Sequence, residues 1–379
     1  MPRPTDALTK PQRLTIAAAA AFTAAAGVMA GVGAPDVARF AIAAVALAVL
    51  AVLVGESIEQ IGEHLGPGPT GLLQSSLGNL PELFVAIFAL REGLTSVVQA
   101  ALVGSVLGNV LLVLGAAFLS GGVRHGAQRF RPEAPRMLVT LLTLAVGATL
   151  VPTLAIRLET PAAHHAAALS DVAAIVLLAV YVASIPFWLG GGPEVAPPWR
   201  QAQASPGQAR APKAPGARST ARAPGPQWPL GLALGLLAGA GVASGAVSDW
   251  FVSALTPATR SLGISPMFTG LVIVALASNA VENAAGIRFA WKAHPDFAIS
   301  TILSSPLQIT LLLTPVLVLI SPLLGPAHLT LVFPPLLVVA LAVAVVVVAI
   351  VVYDGEYSWL EGVALIALYV IVAAALWWG

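Results

Sequence analysis

The sequence predicts an all-α polytopic membrane protein of about eleven transmembrane helices, one at the N-terminus followed by two inverted five-helix repeats. Three observations predict it. The 379 residues are 58% hydrophobic and only 9% charged, with a mean hydropathy of +0.90, well outside the range of soluble domains. Apolar runs of about 20 residues, the length that crosses roughly 30 Å of hydrocarbon as a helix, recur along nearly the whole chain. A helix satisfies its own backbone there, so it is the default element. Polar residues inside those runs also repeat at a constant offset of 200: Asn79, Glu82 and Ser105 return as Asn279, Glu282 and Ser305.

Residues 1–36 read as a basic N-terminal segment, with Arg3, Lys10 and Arg13, and a first Ala-rich span near 14–33. A secretory leader has the same charge order, but this run is long and the chain returns to the membrane at once. Residues 37–190 form the first five-helix repeat, with spans near 37–58, 68–91, 94–120, 136–156 and 168–189. Residues 191–227 interrupt the pattern with eight prolines, five glycines, five basic residues and one acid, Glu194, the composition of a disordered cytoplasmic linker. Residues 228–379 form the second repeat, with spans near 228–254, 265–290, 296–321, 329–352 and 358–378.

Basic residues set the orientation. With the N-terminus in the cytoplasm, fourteen of the eighteen Lys and Arg fall on inner segments and only Arg39, Arg91, Arg157 and Arg260 outside. This places an integral protein in a bacterial inner membrane with its C-terminus outside. Five spans per repeat is an odd number, so the halves lie with opposite topology, as in many secondary transporters.

Carboxylates within hydrocarbon are costly and mark function. Glu82 and Glu282 are read as the two halves of one cation site, joined by Asn79 and Asn279. Asn79 and Glu82 are three apart and share a helix face, and Pro81, lacking an N–H, frees the carbonyl of Leu77. Carboxylates with amide and main-chain oxygens form a hard set suited to Ca²⁺. Ser105, Asn109, Ser305, Gln308 and Asn283 are the supporting shell, either completing coordination or packing helix to helix. Gly104 and Gly108 are a small-xxx-small pair that admits a close neighbour. Glu59 and Asp249, one near each membrane face, are expected points of cation entry or gating, whereas Glu56 and Glu63 are expected to be solvated helix ends. The six histidines have no zinc spacing, and with no cysteine present there is no thiolate chemistry. The sequence has no Ser/His/Asp set, phosphate loop or nucleotide fingerprint, which points away from an enzyme and from any cofactor.

These motifs resemble the Ca²⁺/H⁺ antiporters of the CAX family, within the wider Ca²⁺:cation antiporters, over most of residues 40–378. GNLPEL followed by VVQAALVGSVLGNVLLVLG is similar to the family's first alpha repeat, and SNAVEN followed by SSPLQI to its second. Asp354 to Gly362, with Tyr369 after it, is similar to a family segment at the start of the last span. The family usually has Gly at Ser278, His at Asn283 and Gly-Ser at Ser304-Ser305. The resemblance implies Ca²⁺ exchanged for protons by alternating access, with Glu82 and Glu282 as shared metal ligands and proton acceptors. Ca²⁺ is then substrate, the lipid bilayer is the other partner, nucleic acid is not one, and a homo-oligomer stays open. A Na⁺-coupled Ca²⁺ exchanger, a Mn²⁺/H⁺ exchanger and a cation channel are the alternatives.

Overall fold

A computed structural model describes residues 8–65, 73, 77–190, 228–325 and 328–378, without the side chains of 186–190 and 280–282. Its helices are α1 Lys10–Gly31, α2 Asp36–Leu65, α3 Leu80–Arg91, α4 Thr95–His125, α5 Glu133–Arg157, α6 Ala166–Gly190, α7 Leu230–Leu262, α8 Pro266–Ser278, α9 Ala280–Trp291, α10 Pro295–Leu324, α11 Pro335–Tyr353 and α12 Trp359–Trp377. Nine of these described helices are long and apolar enough to cross a membrane alone. The stretches Pro266–Ser278 and Asn283–Trp291, bent by 65° to one another, pass the same test of length and hydropathy only when taken together, as one broken span. The expected span 68–91 lies partly outside the described residues, and α3 is its described part. The linker 191–227 lies outside them altogether.

Local sequence explains the ends. Thr9 and Gln12 form a capping box at α1, and Ser358 and Glu361 form one at α12. Gly263, at φ 65°, closes α7 in the left-handed region where a side chain would be strained. Burial then sorts the helices. In α4, 83% of the most apolar window is buried, against 11% in α1, so α4 runs through the centre and α1 lines the periphery. Val339, Val343, Val346 and Ile350 form an exposed stripe along α11 at helical spacing, the face expected to meet lipid.

The two halves interlock. Helices α2 and α7 pack along one another, with Phe40 stacked on Phe251 at 4.7 Å between ring centroids. Helix α4 crosses α8 so closely that a Cβ on Gly270 would lie 2.6 Å from the carbonyl oxygen of Val97. A Cβ on Gly104 would collide with the backbone of Leu271, while one on Gly108 would meet nothing. Of the small-residue pair, Gly104 alone makes the close approach.

Between α10 and α11, residues 328–334 run extended through the protein with Leu329, Leu331 and Phe333 buried. Buried backbone needs partners, and here side chains provide them. Gln99 of α4 donates to the carbonyls of Thr330 and Val332 at 3.1 and 2.9 Å. Ser170 Oγ accepts from Leu331 N at 3.0 Å, Thr153 Oγ1 from Phe333 N at 3.1 Å, and Ser321 Oγ from Leu329 N at 2.9 Å.

A second tie joins the loops after α4 and α11. Strands β1 Gln128–Arg129 and β2 Glu356–Tyr357 pair antiparallel, with Gln128 opposite Tyr357, and Arg129 bridges Glu356 at 2.9 Å. Tyr357 is 1% exposed and stacks on Phe118 at 4.0 Å, its hydroxyl without a hydrogen-bond partner among the described residues. Burial pushes its phenol up to about 12 from the usual 10. Between these values the folded chain keeps a proton that the unfolded chain has released, so stability is intact below pH 10 and lost as pH rises toward 12. Tyr357→Phe is expected to match the parent at neutral pH and to remove an alkaline loss of about 2–3 kcal/mol, read from thermal melts between pH 9 and 12.

Candidate functional site

The sequence reading takes 68–91 and 265–290 as continuous spans, and the structure corrects both. The helix breaks at Asn279, with φ −98° and ψ 12°, and Asn79 has nearly the same geometry, φ −94° and ψ 21°, ahead of α3. Pro81 occupies the first turn of α3, so it starts a helix rather than kinking one. Residue 281 is Val, yet the second repeat breaks at the equivalent point, so proline is not the common cause. The consequence is electrostatic. Glu82 lies in the first turn of α3, where free N–H groups and the helix dipole favour an anion. The backbone of residue 282 occupies the same position in α9, while the Glu282 side chain lies outside the described residues.

Glu82, 8% exposed, is held by three donors from both halves of the chain. Its Oε1 accepts from Asn279 Nδ2 at 2.6 Å, Ser278 Oγ at 3.2 Å and Ser105 Oγ at 3.3 Å. Asn279 Nδ2 also reaches Ser105 Oγ at 3.0 Å and the carbonyl of Ala275 at 3.0 Å. Its Oδ1 accepts from Ser305 Oγ at 3.3 Å. In this arrangement Asn279 orients the carboxylate through its N–H groups. Asn79 does something else: its Nδ2 donates to Gln308 Oε1 at 3.3 Å, tying α3 to α10.

Asn109 donates to the carbonyl of Ser105 at 2.8 Å, and its buried Oδ1 has no partner among the described residues. The Oδ1 of Asn283 is likewise unpartnered there. Asn109 sits in a π-helical stretch of α4, Gly108–Val113, and π turns recur in α8 at Thr269–Val274 and in α10 at Ile309–Leu313. Such turns are common where helices carry function.

Beside Glu82 is a cavity of about 20 Å³, room for one water-sized body. Ser105 and Ser278 share its wall, and the other lining residues, Ala86 and Leu102 among them, are aliphatic. One carboxylate with hydroxyl oxygens around so small a space can take a dehydrated cation, a water or a proton.

The structure thus brings together Glu82, Ser105, Asn279 and Ser305, with Asn79 and Gln308 adjoining as a pair. It does not bring Glu59 or Asp249 to them. Both are exposed and without a hydrogen bond or ion pair among the described residues. Asp249 is also not near a helix end, because α7 runs thirteen residues further, to Leu262, or about 20 Å. Glu56 is not simply solvated: it is half-buried and accepts from Thr15 Oγ1 of α1 at 3.4 Å. Glu63 is exposed. Sequence reasoning left Ser278 out of the site. Its signal was a hydroxyl directly before Asn279 in an otherwise apolar run.

The sequence matches the sodium/calcium exchanger protein family over residues 36–189 and 232–378. This chain belongs to that family. Among its relatives in the family, the Ca²⁺/H⁺ antiporter of Synechocystis sp. is 35% identical over 344 residues, covering 89% of this chain and 90% of the relative. The Ca²⁺/H⁺ antiporter ChaA of Bacillus subtilis is 33% identical over 339 residues, covering 89% and 92%. The solved structure of native YfkE superposes with a TM-score of 0.77 at 29% identity, over 96% of this chain and 99% of that one. The H⁺/Ca²⁺ exchanger CAX superposes with a TM-score of 0.70 at 16% identity, over 97% and 92%, a likeness of fold. The chain is therefore an integral membrane protein with the exchanger fold.

Proposed function

We propose that this chain exchanges Ca²⁺ for H⁺ across the membrane by alternating access, as a transporter and not an enzyme. The observation that carries the reading is Glu82, a buried carboxylate at the broken start of a membrane helix, held by donors from both halves beside a cavity of ion size. The names of its relatives support the choice of ions. Glu282, the repeat of Glu82, supplies the second carboxylate. Two carboxylates close together titrate jointly. An empty, doubly negative site is costly to occlude, whereas one Ca²⁺ or two protons neutralise it. Only loaded forms then change access, and exchange is coupled rather than leaky. Asn279 and Ser105 orient Glu82, and Asn79 and Gln308 fix the neighbouring helix ends.

The distribution of basic residues supports an N-terminus in the cytoplasm and a C-terminus outside. The test is reconstitution in liposomes with a pH gradient, following Ca²⁺ uptake beside the same assay under a Na⁺ gradient. Uptake driven by protons supports the proposal. Uptake driven by Na⁺ alone, or flux without counter-transport, would sink it.

A further inference from the structure

Among the described residues lining the cavity beside Glu82, three side chains carry oxygen: Glu82 itself, Ser105 and Ser278. The two hydroxyls are not equally engaged. Ser105 Oγ both donates to Glu82 at 3.3 Å and accepts from Asn279 Nδ2 at 3.0 Å. Ser278 Oγ is 3.2 Å from Glu82 Oε1, with a long 3.5 Å contact from Asn279 Nδ2. It also has other places for its proton, the carbonyls of Val274 at 3.0 Å and Ala275 at 3.3 Å in its own helix.

A hydroxyl has one proton and two lone pairs. With the proton turned to Glu82, Ser278 steadies the carboxylate of an empty site. With it turned to Val274, lone pairs become available beside Glu82 Oε1, and no backbone need move. The spacing suits a cation: two oxygens 3.2 Å apart subtend about 80° at an ion with Ca²⁺–O arms of about 2.4 Å. At Mg²⁺–O arms of about 2.1 Å the angle opens to about 100°, away from octahedral.

We propose that Ser278 is a direct ligand of the transported cation, sharing it with Glu82 and favouring Ca²⁺ over Mg²⁺. The inference rests on the cation-exchange reading above. Its test compares the wild type, Ser278→Ala and Ser278→Thr in proton-driven Ca²⁺ uptake, with folding checked by size exclusion. Ser278→Ala should raise the KM for Ca²⁺ about tenfold with kcat little changed, and Ser278→Thr should restore it. Mg²⁺ should also compete better in the alanine variant, relative to Ca²⁺. A wild-type KM in Ser278→Ala, or kcat falling in step with an unchanged KM, would overturn the proposal and leave Ser278 as a prop for Glu82. If the wild type moves no Ca²⁺, the exchange reading fails. Calorimetric Ca²⁺ binding to the same variants then decides Ser278 separately: equal affinities in wild type and Ser278→Ala reject it.

Discussion

Glu82→Gln is expected to lower proton-driven Ca²⁺ uptake by at least about 100-fold, because a carboxylate facing a divalent ion across about 4 Å contributes several kcal/mol even at an effective dielectric of about 20. The substitution separates charge from shape. Gln keeps an Oε1 that can still accept from Asn279, Ser278 and Ser105, so the local network has no reason to collapse. Removing a buried charge also lifts a desolvation penalty, and the melting temperature in detergent should hold or rise. An inactive but stable Glu82→Gln protein is the expected outcome. Near-normal uptake would exclude Glu82 as a ligand. Loss of the folded protein would mean that the charge holds the helix ends together. Glu282→Gln, argued from the repeat, should behave in the same way.

The second large effect concerns packing. Gly104→Ala puts a methyl group into the backbone of Leu271 at the crossing of α4 and α8. Overpacking at a rigid crossing costs about 1–3 kcal/mol. The functional loss should exceed the loss of stability, because Ser105 follows Gly104 while Ser278 and Asn279 end α8. Spreading the helices pulls Ser105 Oγ from Asn279 Nδ2, now at 3.0 Å. Gly108→Ala is the control: its methyl meets nothing within 4 Å, and alanine favours a helix over glycine by about 0.5–1 kcal/mol. Thermal melts and uptake measured on both variants should therefore separate sharply. Equal behaviour would refute the crossing as the determinant.

That contrast shows where the sequence was legible. Gly104 and Gly108 look alike as text, since which glycine meets a backbone depends on Leu271, 167 residues beyond Gly104. Glu82, Asn79 and their echoes could be read because hydrocarbon makes polar residues conspicuous and the repeat doubles the signal. The breaks at Asn79 and Asn279 could not, because apolar periodicity continues across them and Pro81 has no counterpart at Val281. Asp249 lies further from the end of its helix than the expected span 228–254 implies, for a related reason. The run in α7 turns polar near Thr256 and Arg260, but the helix persists to Leu262, with Ala254, Leu255, Ala258 and Thr259 buried. Ser278 stands in the sequence only as a departure from the family's Gly, and a lone hydroxyl in a membrane helix commonly bonds its own backbone, as this one also does.

The extended run 328–334 bears on how the two halves depend on each other. Its amides and carbonyls are satisfied largely by Gln99, Thr153 and Ser170, all from the first half, and His328 faces Asp171 at 3.4 Å. The second half on its own would have to leave that strand of bare peptide in hydrocarbon or unravel it into water. The two halves are in this way not separable units, because the backbone of one is satisfied by side chains of the other. In a chain made from its N-terminus, α4, α5 and α6 all precede the segment whose backbone they satisfy.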